Sequence, residues 1–166
     1  MLAGMSVGGR QEDWVLLCYR LPRVPSTPRS AVWRTLKRLG VAQLGDGLVT
    51  LPADARTREA LEWVAEEVVD NGGEAMIWIG RPADRAGLDE ITSRMTAAVA
   101  AEYQAVAIEA EHTADADPAT RRRVAARLNR ELRRIDGRDF FTPPERGQAR
   151  RAVTKLMARL EVTAHR

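Results

Sequence analysis

The sequence predicts an α+β chain: a four-stranded sheet module in the order strand, helix, strand, strand, helix, strand, followed by three carboxyl-terminal helices. Three observations carry this. Four apolar runs of strand length alternate with two amphipathic stretches between residues 14 and 79, whereas from residue 82 onward apolar residues recur at three- and four-residue spacing. The chain has 166 residues, 45% apolar and 30% charged, which suffices to bury roughly 70% of its unfolded surface. That composition excludes disorder, collagen and a disulfide scaffold.

Residues 1–13 carry little pattern beyond Gly and polar side chains and are expected to be a loose tail. Residues 14–19, Trp-Val-Leu-Leu-Cys-Tyr, read as a strand buried on both faces, with Cys18 a core thiol. A loop with Pro22 and Pro25 follows, and Thr27 is placed to cap a helix that opens with Pro28 and ends at Gly40. On that helix Val32, Leu36 and Leu39 share one face, and Arg34, Lys37 and Arg38 lie opposite. Two short strands flank Gly45-Asp46-Gly47, a hairpin signal. Asp54 caps the next helix, which buries Leu61, Val64, Ala65 and Val68, leaves Trp63 on its outer side and stops at Asn71-Gly72-Gly73. Residues 74–79 form the fourth strand.

This order is the split βαβ arrangement of a ferredoxin-like module, assigned to residues 14–81. Two helices cover one face of such a sheet, yet the first strand is apolar on both. The helical extension, 82–166, is expected to pack on the module, and a second copy of the chain is expected to bury what remains, making a homodimer. In the extension Leu88, Ile91, Met95, Val99, Tyr103 and Val106 form a stripe on a long helix. Asp117-Pro118 opens a second helix that buries Val124, Leu128, Leu132 and Ile135. The Phe140-Phe141-Thr142-Pro143-Pro144 link leads to a last helix with Ala149, Val153, Leu156, Met157 and Leu160 inward.

A formal net charge of +3 hides a segregation of sign. Residues 1–80 hold 9 bases and 10 acids, residues 81–117 hold 3 and 8, and residues 118–166 hold 14 and 5. Residues 14–45 contain six bases and no acid. One-signed stretches point to a polyanion such as DNA, and pairing of the acidic middle with the basic end inside one molecule is the competing explanation. Two patches are candidate DNA contacts. Arg34, Lys37 and Arg38 share the outer face of the first helix. Arg123, Arg127, Arg130 and Arg134 form a comb opposite the apolar stripe of the helix from Pro118, roughly 16 Å long at the helical rise.

Arg20, Arg23 and Arg29 gather where the first strand ends and the loop begins, without nearby carboxylates in sequence, and are the candidate site for an oxyanion. Glu102 and Glu109 lie near an apolar stripe, where carboxylates need partners, and an Arg from the basic end is the expected one. No phosphate loop, dinucleotide fingerprint, nucleophile elbow or zinc motif is present, and one cysteine with two histidines falls short of a metal cage. The expectation is therefore no catalytic residue, no metal and no cofactor. The apolar runs are too short to cross a bilayer and no basic-then-apolar leader opens the chain, so a cytoplasmic protein without membrane contact is expected.

Residues 14–23 (WVLLCYRLPR), 31–40 (AVWRTLKRLG), Leu51-Pro52, 72–78 (GGEAMIW) and 138–141 (RDFF) resemble the amino-terminal domain of the ChrB family of chromate-resistance regulatory proteins. The resemblance covers nearly the whole chain. It implies a cytoplasmic, chromate-responsive, DNA-binding regulator of a chromate efflux operon, whose longer members carry a further carboxyl-terminal domain. A fainter similarity reaches the ferredoxin-like domain of the phenylacetate-responsive repressor PaaX and the small nuclease-like subunit of CRISPR spacer acquisition. In the latter an Asp commonly follows the Tyr at the end of the first strand and binds metal. Here Arg20 stands at that position, and a guanidinium cannot hold Mg²⁺. Three readings remain: a DNA-binding regulator, a non-catalytic dimerising interaction module, and an enzyme, the last without any convergent acid, base and nucleophile to support it.

Overall fold

A computed structural model describes residues 13–164, with side chains to residue 158. The expected tail lies outside the described residues except Asp13, whose carbonyl accepts the Ala53 N–H at 2.9 Å and whose carboxylate pairs with Arg81. The elements are β1 (Trp14–Arg20), α1 (Thr27–Leu39), β2 (Ala42–Gly45), β3 (Leu48–Pro52), α2 (Ala55–Asp70), β4 (Glu74–Gly80), α3 (Arg85–His112), α4 (Pro118–Asp136) and α5 (Pro144–Ala164). The chain divides into two compact units, Met1–Leu88 and Asp89–Arg166.

In the first unit the sheet order is β2-β3-β1-β4, every neighbouring pair antiparallel. Each helix carries its own stop or start signal. Gly40 ends α1 in the left-handed region, φ 77°, which a residue without Cβ enters freely. Asp54 opens α2 through a reciprocal capping box: its side chain accepts from the Thr57 N–H at 2.7 Å, and Thr57 Oγ1 accepts from the Asp54 N–H at 2.9 Å. α1 differs from expectation. Ser26, not Thr27, is the residue before the helix, and its side chain makes no capping hydrogen bond.

The sheet has two unlike faces. Val15 and Leu17 on β1 and Val49 and Leu51 on β3 share one face and are fully buried, as are Val32 and Leu36 of α1 and Leu61, Val64 and Val68 of α2. On the other face the cross-strand partners of β1 and β4 are Leu16 with Trp78 and Cys18 with Met76. Cys18 is exposed, and Met76 and Trp78 are 57% and 58% exposed. Cys18 is therefore not the core thiol that its apolar neighbours suggest: it shares a face with Trp14 and Thr50, which are buried, but lies at the part of that face where Met76 and Trp78 are exposed. Trp63 lies outward on α2, as the wheel predicts.

The second unit has a core of Val99, Tyr103, Val106 and Ala110 from α3, Ala125, Leu128, Leu132 and Ile135 from α4, and Ala149, Val153 and Leu156 from α5. Asp117 caps α4, accepting from the Thr120 N–H at 3.0 Å, and Pro118 occupies the first helical turn. No helix among the described residues is long and apolar enough to cross a membrane.

Candidate functional site

Arg20 closes β1, and the antiparallel register sets it opposite Glu74, the first residue of β4. Guanidinium and carboxylate meet at 3.2 Å with both side chains largely in solvent. Such an exposed pair contributes about 0–1 kcal/mol, so Arg20 remains available to a ligand. The following loop, which contains a cis Val24–Pro25 peptide, brings Arg23 to the amino-terminal end of α1. The β2–β3 turn is tied to the same place by a 2.7 Å hydrogen bond from the Tyr19 N–H to the Gly47 carbonyl.

These pieces enclose an open cleft of about 1260 Å³ whose walls include Tyr19, Arg20, Arg23, Arg29, Trp33 and Glu74. All three arginines of the expected oxyanion site line it. Arg20 alone among them has a carboxylate partner among the described residues. The first turn of α1 holds no acidic residue, and Ser26 and Ser30 stand at the cleft with it. Uncapped N–H groups at a helix start favour negative charge. Burial pushes the Tyr19 phenol above its ordinary value against a smaller downward pull from Arg29, so the hydroxyl is a donor at neutral pH. The sequence did not reveal the other cleft residues. Trp33 reads as one more position on α1, and Glu74 joins Arg20 only through strand pairing.

The remaining basic residues fall in both units. Arg34, Lys37 and Arg38 are exposed on α1 and satisfied by uncharged neighbours: Arg34 donates to the Ser30 carbonyl at 3.3 Å, Arg38 to Thr35 Oγ1 at 3.3 Å, and Lys37 Nζ sits 5.5 Å from the Trp33 ring centroid. On α4 the comb divides in two. Arg127 pairs with Glu109 of α3 and Arg134 with Glu131 at 2.6 Å, while Arg123 and Arg130 are exposed with no ion pair among the described residues. Arg122 and Arg133 on its flank are likewise exposed and without an ion pair among those residues. Glu102 pairs with Arg138, so both carboxylates near the α3 stripe find an arginine from the basic end.

A polar cluster that the sequence did not announce sits at the end of α4. The Tyr103 hydroxyl lies 2.7 Å from Asp136 Oδ1 and 3.1 Å from Asp139 Oδ2. Arg146 reaches Asp136 at 3.0 Å and Asp139 at 3.8 Å, and Arg150 reaches Asp136 at 2.6 Å. The Asp139 side chain is fully buried and also accepts from the N–H groups of Phe141 and Thr142 at 3.2 and 2.8 Å, which holds Thr142 at φ 50°. Burial alone would raise Asp136, but hydrogen bonds from Tyr103 and Arg150 and the charges of Arg146 and Arg150 outweigh it and hold the carboxyl below its ordinary value. Burial first, then the hydrogen bond to Asp136 and the charge of Asp139, push the Tyr103 phenol far up. Every member named has a partner within the cluster, which anchors the turn after α4. The signal for it was Tyr103 itself, a hydroxyl on an apolar stripe that must find acceptors. Among the described residues no three His, Cys, Asp or Glu side chains gather as a metal would require.

Comparison with known proteins places these features in a family. Residues 29–123, more than half of the chain, match the family described as "Protein ChrB, N-terminal". Protein ChrB of Cupriavidus metallidurans is 32% identical over 145 residues, a match that takes in 82% of this chain and 42% of that relative. The chain thus spans less than half the length of the curated relative it matches. The family match includes α1, the whole sheet except β1, α2, α3 and the first turn of α4, and the pairwise match extends the likeness to most of the chain. On that span the chain belongs to the ChrB amino-terminal family.

Proposed function

We propose that this chain is a DNA-binding transcriptional regulator of the chromate-resistance type, cytoplasmic and non-catalytic, with a sheet module of the ferredoxin-like class. The observation that carries it is the outer face of α4, where Arg122, Arg123, Arg130 and Arg133 stand exposed with no ion pair among the described residues. A solvated row of unpaired guanidinium groups at helical spacing matches the phosphate backbone of DNA. Membership of the ChrB family supports the regulatory role. The βαββαβ order with strands β2-β3-β1-β4 supports the fold assignment. The exposed sheet face with Cys18, Met76 and Trp78 supports a homodimer. The effector in this reading is an anion held near Arg20, Arg23 and Arg29, with chromate, a tetrahedral dianion, as the family's candidate.

The test is affinity for promoter DNA at several salt concentrations. Changing Arg123 and Arg130 to Gln is expected to weaken binding to all sequences alike and to flatten the plot of log affinity against log salt by about 0.9 per lost contact. The rival patch is Arg34, Lys37 and Arg38 on α1. Loss of binding there, with none at α4, would move the DNA to the first unit. Wild-type protein that fails to bind promoter DNA at low salt would end the DNA-binding reading.

A further inference from the structure

The cleft at the end of β1 holds more than an inorganic anion can use. We propose that it binds a nucleotide, with the phosphate at Arg23, Arg29 and the start of α1 and the planar base against the aromatic wall; this rests on the cleft being an anion site and names its ligand class. At about 1260 Å³ the open cleft exceeds the roughly 300–1,000 Å³ of sites for small organic ligands. A tetrahedral oxyanion is only a few water volumes, each about 30 Å³.

The groups lining the cleft are mixed in charge. Arg23 and Arg29 have no carboxylate partner among the described residues, and the first turn of α1 has no acid and no side-chain cap, which suits a phosphate group. Yet Glu74 and Asp46 also line the cleft. Two carboxylates oppose a bare dianion. They serve a ligand that carries hydroxyl or amino donors some distance from its phosphate, as ribose and a nucleobase do. Two aromatic side chains, Tyr19 and Trp33, line the cleft and are both half-buried. A planar ring stacks on such surfaces, whereas an inorganic anion gains nothing from them. Gly47 and Gly73 are excluded from this argument, because a Cβ at either would collide with a β1 carbonyl whether or not a ligand is present.

The experiment is calorimetric titration of the full chain with AMP, inorganic phosphate, chromate, and a single-stranded oligonucleotide with or without a 5′-phosphate. AMP is expected to bind at least about tenfold more tightly than phosphate or chromate, or the 5′-phosphorylated strand at least about tenfold more tightly than the unphosphorylated one, a gap of about 1.4 kcal/mol. Preference between those two tells a free nucleotide from one at a strand end. The double variant R23A/R29A is expected to lose at least about tenfold in that affinity, with thermal unfolding unchanged because both side chains are exposed. R123Q/R130Q is expected to keep the affinity for AMP and the preference for a 5′-phosphate. Chromate or phosphate binding as tightly as AMP would overturn the inference and leave a bare oxyanion site. No binding by any of the anions would overturn both that site and the inference. AMP affinity or 5′-phosphate preference untouched by R23A/R29A, or lost in R123Q/R130Q, would place the ligand elsewhere and overturn the inference. Promoter affinity is a separate readout, so the DNA-binding proposal can stand while this inference fails.

Discussion

Tyr103 is fully buried in an otherwise apolar core and its hydroxyl faces two carboxylates. Replacing it with Phe leaves Asp136 and Asp139 short of a donor, and losing a hydrogen bond to a charged, poorly solvated acceptor costs about 1–3 kcal/mol. Chemical denaturation should register that loss at neutral pH. The pH dependence follows from the sign of the Asp136 shift. Its carboxyl is held below the ordinary value in the folded state, so it contributes stability that is present above the unfolded pKa and is lost as pH falls through the folded one. Wild-type stability should therefore decline below about pH 4. In Tyr103→Phe, Asp136 lacks one of the bonds that depress it, and the decline attributable to this group should be smaller. Gly47 gives a second test at single-residue scale. It sits at φ 71°, and a Cβ there would meet the Tyr19 carbonyl. Gly47→Ala should cost more than about 1 kcal/mol, because strain at positive φ adds to a backbone clash. It should also loosen the turn that forms one wall of the cleft.

α4 has two unlike faces. Leu128, Leu132 and Ile135 are buried in the three-helix core, whereas Arg122, Arg123, Arg130 and Arg133 are exposed. Substitutions on the outer face should thus change stability by no more than about 0.5 kcal/mol while altering DNA affinity. Arg127→Gln also tests the ion pair with Glu109, whose partners are about half exposed. That pair should contribute about 0–1 kcal/mol and fade with salt. The helix start behaves differently. Asp117 accepts from the Thr120 N–H, and Asp117→Ala should cost about 1 kcal/mol, seen as a lower unfolding midpoint without a change in DNA salt slope. Losses in both would mean that α4 frays at its first turn and carries its arginines with it.

For the molecule as a whole, the exposed patch of Cys18, Met76 and Trp78 is where the proposed homodimer would meet. Trp78 and Met76 stand exposed opposite Leu16 and Cys18. Light scattering at high micromolar concentration is expected to give the mass of a dimer, and Trp78→Lys is expected to give a monomer that still unfolds cooperatively. A wild-type monomer would remove the homodimer from the proposed function.

Nearly every element was legible from residue order, because caps, glycine stops and apolar spacing act within a few residues of themselves. Asp54, Gly40 and Asp117-Pro118 mark helix ends by chemistry that requires no distant partner. The arginine cluster at the end of β1 was legible for the same reason: strand end, loop and helix start are consecutive. Side-chain destinations were not. Arg127 of the comb is occupied because it meets Glu109 of α3, eighteen residues away, and Arg138, beyond α4, meets Glu102 thirty-six residues away. Glu74 enters the cleft because β4 pairs with β1 across 54 residues of chain. Cys18 is exposed although Trp14 and Thr50 on the same face of the sheet are buried, a difference that residue order does not carry. Local free energies set where elements begin and end; pairing of charge and burial of a face are free energies between elements, and only the folded chain decides them.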